Sequence, residues 1–144
     1  MFNNLQAGSL VNVNESIIFL CSSLIKLNKK EFQNLKKNYW LQIQNSNLEV
    51  NIIKLNKIIY KAKLYGSNGY IFLDIKDSKK KKFTDKSNKE LFVLKAKIDN
   101  TFNLNHMIIS KNPLNAILYR NKKNYAKVDI YFKNYIYIKI KEIL

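Results

Sequence analysis

The chain has 144 residues, with 26 Lys and Arg against 10 Asp and Glu, and a formal net charge of +16. Its apolar content of 47% is too high for a chain that stays unfolded, and its length fits a single domain over residues 1–144. One Cys and one His exclude a disulfide framework and a Cys/His zinc site, and three Gly are too few for a glycine-rich phosphate loop.

The first 47 residues carry the apolar spacing of two amphipathic helices. After Asn14, apolar residues recur at intervals of three and four, which predicts a helix over about 15–27. Asn28 and Glu31 have the spacing of a capping box, and the apolar stripe behind them predicts a second helix. We therefore predict a helical part over residues 1–47, followed by a basic β-sheet part over residues 48–144.

From residue 48 onward the apolar period changes to two, which is the period of a β-strand. Two alternating runs on either side of Gly66-Ser67-Asn68-Gly69 predict a hairpin with a four-residue loop. The lysine-rich residues 77–90 are predicted to form an exposed loop. Further strands are predicted over residues 91–98, 106–110, 116–119 and 125–141.

The last of these strands is longer than a usual strand. Its apolar residues share one parity, and they are Val128, Ile130, Phe132, Ile136, Ile138 and Ile140. A two-residue turn at Lys133-Asn134 would move the side chains that follow to the other face, so the pattern favours one long strand bent at Asn134. We therefore predict an α+β fold, in which two N-terminal helices pack on one face of an antiparallel β-sheet with a long C-terminal strand.

The positive charge lies mainly in the second part of the chain, since residues 1–50 carry a net charge of +2 and residues 51–144 carry +14. A lysine can neutralise a phosphate of a nucleic-acid backbone, and a tyrosine offers a face on which a base can stack. The alternative for each basic group is a solvated surface without a ligand. The candidate RNA contacts are Lys79, Lys80, Lys81, Lys82, Lys86, Lys89, Arg120, Lys122, Lys123, Lys127, Lys133, Tyr135, Tyr137, Lys139 and Lys141.

The chain contains 25 Lys, 21 Asn and 19 Ile but a single Arg. Codons made only of A and T encode Lys, Asn and Ile, so this composition indicates an A/T-rich genome. In composition the chain resembles ribosomal proteins encoded in A/T-rich organelle genomes, such as those of protist mitochondria. Residues 108–119 also resemble the middle of the eighth small-subunit ribosomal protein, but the Ser-Thr-Ser-x-Gly stretch that follows in that family is missing. No residue role is therefore carried over.

The residues that could carry catalysis are few and scattered. Cys21 falls on the apolar stripe of the first predicted helix, where a free Cys is usually a core residue, so a catalytic pair with His106 is not favoured. Asp74 and Asp77 have no further metal ligands beside them in the sequence. We therefore expect no enzymatic activity, no cofactor and no metal ion.

These observations lead to a functional hypothesis of structural RNA binding within a ribonucleoprotein, with a mitochondrial or other organellar ribosome as the assembly. The expected partners are RNA, in particular rRNA, and neighbouring proteins, whereas the modest charge of the predicted helices does not favour a membrane surface. Because residues 1–14 lack the Lys and Arg of a targeting peptide, we expect translation in the organelle itself. The alternative is a non-catalytic accessory subunit of another large assembly, such as a respiratory complex or a polymerase.

Overall fold

The computed structural model describes residues 17–22, 24–84, 86–87, 91–99 and 108–144, and in these ranges it contains eleven strands and one short helix. In chain order they are β1 (Ile17–Ser22), β2 (Ile25–Lys26), α1 (Lys29–Gln33), β3 (Trp40–Ile43), β4 (Asn47–Lys54), β5 (Lys57–Ser67), β6 (Tyr70–Lys82), β7 (Leu91–Asp99), β8 (Ile108–Lys111), β9 (Leu114–Arg120), β10 (Lys123–Phe132) and β11 (Ile136–Ile143).

The strands form one antiparallel sheet. Ten of them follow a single path in the order β3-β11-β10-β9-β7-β1-β4-β5-β6-β8, and the two-residue β2 pairs with β7 beside this path. β1 therefore lies in the middle of the sheet with a partner on each side, whereas β3 and β8 lie at its two ends.

One face of the sheet encloses a hydrophobic core. The strands contribute alternate residues to it, as the period of two requires. Its fully or nearly fully buried strand residues are Leu20, Leu41, Leu48, Val50, Ile52, Ala62, Leu64, Ile71, Leu73, Phe92, Leu94, Ala96, Leu114, Ala116, Leu118, Ala126, Val128, Ile130, Phe132, Ile136, Ile138 and Ile140. Since these residues come from the whole length of the path, the sheet curls so that its two halves pack against each other.

The two halves meet where β5 passes the end of β10. Gly66 lies so close to Phe132 that a Cβ atom at Gly66 would be 2.5 Å from the Phe132 carbonyl oxygen. The Asn112 side chain, between β8 and β9, donates to that carbonyl oxygen at 2.7 Å and accepts from the Phe132 N–H at 3.0 Å. The backbone N–H of Asn112 donates to the carbonyl oxygen of Gly69 at 2.9 Å, so this corner joins both halves of the sheet.

The predicted α+β fold is wrong, because the described part of the chain contains no helix of seven or more residues. Most of the first predicted helix, 15–27, forms β1 and β2 instead, while residues 15 and 16 lie outside the described ranges. β1 pairs with β4 along one edge and with β7 along the other. An apolar run of this length fits either a helix or a central strand, and pairing on both edges decides for the strand.

Only the first turns of the second predicted helix exist. Its capping box is confirmed, since the Glu31 N–H donates to Asn28 Oδ1 at 2.8 Å and the Asn28 N–H donates to Glu31 Oε1 at 3.2 Å. The helix ends after five residues, none of which is buried, so local capping is not reinforced by packing. Asn38 then adopts a positive φ of 70°, and Trp40–Ile43 pairs with β11 as a strand.

The prediction of one long C-terminal strand is also wrong, because residues 125–141 form the β10–β11 hairpin. The bend consists of three residues, Lys133 to Tyr135, and the Lys133 N–H donates to the Tyr135 carbonyl oxygen at 3.0 Å. A three-residue bend is compatible with the uniform parity, since it places Phe132 opposite Ile136 with both side chains in the core. Parity thus excludes a turn with an even number of residues but allows a turn with an odd number.

The predicted hairpin around residue 68 is confirmed, with a shorter loop than expected. Asn68 and Gly69 form a two-residue turn with φ angles of 52° and 82°, which is the geometry that fits the right-handed twist of a hairpin. The strands on either side bring Leu64 opposite Leu73 in the core.

The turn between β4 and β5 has the same geometry with less suitable residues. Leu55 and Asn56 have φ angles of 50° and 62°, and this left-handed region costs an ordinary L-residue about 1–2 kcal/mol. Replacing both residues, Leu55→Asn with Asn56→Gly, is therefore expected to raise the free energy of unfolding by about 1 kcal/mol and the melting temperature by a few degrees. The measurement is thermal unfolding followed by circular dichroism.

The control for this turn variant is Leu144→Asn, which removes another exposed leucine outside any turn. If the control gains as much stability as the double variant, solvent exposure of leucine and not backbone strain explains the change.

Candidate nucleic-acid interface

The outer face of β3, β11 and β10 carries aromatic and cationic side chains at one end of the sheet. The strand register places Lys139 opposite Trp40, and Tyr131 opposite Tyr137. All four side chains point away from the core because their neighbours Leu41, Phe132 and Ile138 point into it. We call Trp40, Tyr131, Tyr137, Lys133 and Lys139 the aromatic platform.

The rings of the aromatic platform form a nearly continuous surface. The ring centroids of Trp40 and Tyr131 are 5.4 Å apart with an interplanar angle of 43°, although β11 runs between their strands. Lys139 Nζ lies 5.8 Å from the centroid of the Trp40 ring, and Lys133 Nζ lies 5.8 Å from that of Tyr131. Trp40 is 49% exposed, so a stacking partner can reach it from solvent.

The other predicted residues of the C-terminal segment have different surroundings. Lys141 Nζ lies 3.4 Å from Asp129 Oδ1, and Lys127 Nζ lies 3.7 Å from Glu142 Oε1, so both charges are partly neutralised within the protein. Tyr135 is exposed in the bend between β10 and β11. Of the six residues predicted here, the structure brings Lys133, Tyr137 and Lys139 together.

Sequence reasoning missed the two central rings of the platform. Neither Trp40 nor Tyr131 is among the candidate RNA contacts predicted from the sequence. The segment Trp40-Leu41-Gln42-Ile43 alternates with a period of two, and this signal could have indicated a strand with Trp40 and Gln42 on its outer side.

The predicted lysine-rich loop is wrong in its first part, because β6 continues to Lys82. Lys82 lies opposite Lys57 and Lys81 lies opposite Ile58 in the β5–β6 pair. Lys79 and Lys80 belong to the same strand, but their side chains lie outside the described part of the structure, as does the whole of Lys89. Lys81 and Lys82 are exposed.

The residues that follow β6 contact both the β4–β5 turn and the β9–β10 turn. This places Lys86, Lys122 and Lys123 near the end of β6. The Phe83 N–H donates to the Asn56 carbonyl oxygen at 3.0 Å, and the Asn121 N–H donates to Ser87 Oγ at 3.0 Å. Phe83 therefore lies at the β4–β5 turn and Ser87 lies at the β9–β10 turn. The Cα atoms of Phe83 and Ser87 are at most about 14 Å apart, because they are four residues apart in the chain. Lys86, Lys122 and Lys123 are exposed.

Arg120 differs from the other predicted contacts because its guanidinium group is engaged inside the molecule. It lies over three rings, at 4.5 Å from Phe32, 4.9 Å from Phe92 and 4.4 Å from Tyr125, and it donates a hydrogen bond to the Tyr125 hydroxyl. The planar guanidinium suits such stacking better than an ammonium group. The only Arg of the chain thus joins α1 to the core.

The described ranges contain neither a cluster of metal ligands nor a membrane-spanning helix. No three His, Cys, Asp or Glu side chains come together there as a metal site would require. No helix in these ranges has the length and apolar content needed to cross a membrane. His106 and the Cys21 side chain lie outside the described parts, so the structure does not test their pairing.

Comparison with known proteins adds no family assignment. No protein-family model matches the chain, and no curated protein matches it significantly.

Proposed function

We propose that this protein is a structural, non-catalytic RNA-binding component of a ribonucleoprotein, namely a mitochondrial or other organellar ribosome. The observation that carries the proposal is the aromatic platform, in which the exposed Trp40 ring and the half-buried Tyr131 ring lie beside two lysines. Single-stranded RNA is bound in this way, by stacking of unpaired bases on aromatic side chains within a basic surface.

The platform supplies the two interactions that a single strand needs. A base that stacks on Trp40 leaves its phosphates near the ammonium groups of Lys139 and Lys133, each within 6 Å of a ring. The formal net charge of +16 attracts the polyanion at longer range and accelerates association. Stacking accepts any base, so the expected recognition depends on unpaired structure more than on base identity.

The organellar setting and the structural role have separate support. The Lys, Asn and Ile content fits an A/T-rich organelle genome, where basic proteins of ribosomes are encoded with Lys in place of Arg. One His, one Cys and ten acids offer few combinations for an active site, so a structural role is proposed over a catalytic one. The remaining surface would contact rRNA and neighbouring proteins of the assembly.

The experiment that tests this proposal is sedimentation of native lysate with and without ribonuclease, with immunodetection of the chain. The expected result is co-migration with a ribosomal subunit and a shift to smaller particles after ribonuclease treatment. Migration in a large particle that ribonuclease does not change would contradict the proposal and support an accessory subunit of a protein assembly.

The platform itself is tested with Trp40→Ala. We expect this variant to bind a 12-nucleotide single-stranded RNA about 5-fold to 150-fold more weakly, because stacking contributes about 1–3 kcal/mol per base. The slope of the logarithm of the binding constant against the logarithm of salt concentration should not change, since no charge is removed. Fluorescence anisotropy at several salt concentrations measures both quantities.

Trp40→Phe is the matched control, since it keeps an aromatic face at the same position and should keep most of the affinity. Equal losses in the Ala and Phe variants, or no loss in either, would show that Trp40 does not stack on a base.

A further inference from the structure

Lysines from three separate parts of the sequence line one region of the surface. They lie at the end of β5 and β6, on the segment that leaves β6, and at the β9–β10 turn. We call this region the basic rim, and its exposed members are Lys57, Lys81, Lys82, Lys86, Lys122 and Lys123.

The arrangement of charge on β5 distinguishes the basic rim from the rest of that strand. In its middle, Lys61 lies opposite Asp77 and Lys63 lies opposite Asp74. At its end, Lys57 lies opposite Lys82, and directly opposite like charges destabilise a sheet. No ion pair within the described residues compensates these two lysines. The positive charge at this end therefore favours the binding of an anion.

The residues that follow β6, from Phe83 onward, include Lys86 and extend toward the β9–β10 turn. This segment is held at one end by the hydrogen bond of Phe83 to Asn56 and at the other by that of Asn121 to Ser87. Phe83 also packs against the small buried pair of Ile53 and Val93, which fixes the start of the segment. These contacts hold the lysines at the end of β6 and those of the β9–β10 turn in a defined arrangement.

The basic rim offers charge without stacking surfaces. Phe83 is partly buried against its hydrophobic cluster, and the Tyr119 ring in that cluster is covered by Lys95, whose Nζ lies 3.5 Å from the ring centroid. A surface that presents ammonium groups alone recognises phosphates and not bases. Double-stranded RNA presents this ligand, since its bases are paired and its outer surface consists of phosphates and 2′-hydroxyls.

We propose that the basic rim is a second RNA contact, which binds the phosphate backbone of double-stranded RNA while the aromatic platform binds unpaired bases. This inference rests on the proposed RNA-binding function and extends it to a second class of RNA structure. The two surfaces lie on different parts of the sheet, so their contributions to binding should separate by mutation.

The test uses the full chain, a 20-base-pair RNA duplex and the 12-nucleotide single strand, with affinities measured from 50 to 200 mM KCl. The rim variant combines Lys57→Gln, Lys82→Gln and Lys122→Gln. For the duplex, we expect the salt slope to fall by about two to three and the affinity at 100 mM KCl to fall at least about tenfold. For the single strand, we expect a smaller loss than that caused by Trp40→Ala.

The matched control combines Lys61→Gln, Lys63→Gln and Lys76→Gln. It removes the same formal charge at lysines that face acids across the strands or, for Lys76, lie 2.8 Å from Asp74. Its duplex salt slope should change by less than about one. Equal effects of the control and rim variants would overturn the proposal, because binding would then depend on net charge and not on the rim.

A second variant, Lys82→Glu, separates binding from folding. It places an acid opposite Lys57, so the melting temperature should not fall, while duplex affinity should fall further than in Lys82→Gln. An unchanged duplex affinity in both the rim variant and Lys82→Glu would overturn the proposal.

Two further results show whether the proposed RNA-binding function or only the proposal for the basic rim is wrong. If the unmodified protein binds neither RNA probe, the proposed function fails as well as the rim. If the rim variant instead loses binding to vesicles of phosphatidylserine and phosphatidylcholine while duplex binding is unchanged, the rim is a contact for anionic lipid and the proposal is overturned.

Discussion

Replacing Gly66 with Ala is expected to lower the free energy of unfolding by about 3 kcal/mol, at the upper end of the range for overpacked sites. The added Cβ would lie 2.5 Å from the Phe132 carbonyl oxygen and 2.7 Å from the Phe132 Cβ. Neither atom can move away by rotation of a side chain. The Phe132 backbone is also held by two hydrogen bonds to Asn112, so relief of the contact requires the two halves of the sheet to separate.

Equilibrium unfolding in urea measures this effect, with Ser67→Ala as the control at the next, exposed position of β5. The control should stay within about 0.5 kcal/mol of the unmodified protein, as is usual for surface substitutions. A Gly66→Ala variant that is as stable as the control would show that β5 and β10 do not approach each other as closely as the structure indicates.

Arg120→Lys is expected to lower the free energy of unfolding by about 2 kcal/mol although it conserves the charge. The guanidinium group of Arg120 contacts the rings of Phe32, Phe92 and Tyr125 at once, and each contact of a partly desolvated cation with a ring contributes about 0.5–2 kcal/mol. A lysine has no planar group to lie against several rings, and it loses the fork geometry that reaches the Tyr125 hydroxyl.

The same variant separates the structural role of Arg120 from a direct contact with RNA. Lys97→Arg is the matched control, since it exchanges the same two residue types at an exposed position of β7 outside both proposed RNA contacts. If Arg120 acts inside the molecule, Arg120→Lys lowers stability under urea while the RNA affinity of the folded variant stays constant. A lowered RNA affinity with unchanged stability would return Arg120 to the RNA interface, because a lysine loses the bidentate phosphate contact of an arginine.

The hairpins show what local sequence predicts well. Asn68-Gly69 adopts positive φ angles at little cost, so the turn between β5 and β6 could be located before any partner was known. The parity of the apolar residues from Val128 to Ile140 likewise identified the buried face, and all of them lie in the core. The number of residues in a turn was less certain, as the three-residue bend before Ile136 shows.

The N-terminal part shows why fold class was not predictable from the same patterns. The apolar spacing before residue 27 fits a helix and a central strand equally well. Only the pairing of β1 with β4 and with β7 decides for the strand. The capping box at Asn28 is a correct local signal, yet it supports a helix of five residues because no buried face extends it.

The candidate interface was predictable only in its composition. The abundance of lysine and tyrosine after residue 50 indicated an RNA-binding surface, which stays a prediction. The lysines near residue 80 were predicted to form a loop because a run of like charges is typical of a solvated segment. In the structure they belong to β6, which continues to Lys82 because it pairs with β5. Trp40 lies in the candidate interface because β3 pairs with β11, which places the Trp40 ring beside the Tyr131 ring.

The sequence by itself determined the place of the β5–β6 hairpin, the alternation of strand residues, the charge and its concentration in the second part of the chain. These properties depend on backbone preferences and on neighbours one to four residues away. Only the tertiary structure decided which strands pair, that Gly66 meets Phe132, that Arg120 turns inward, and that Lys82 and Lys122 line one rim. These contacts join residues far apart in the chain, and their free energy is gained only when the sheet curls, so no local pattern encodes them.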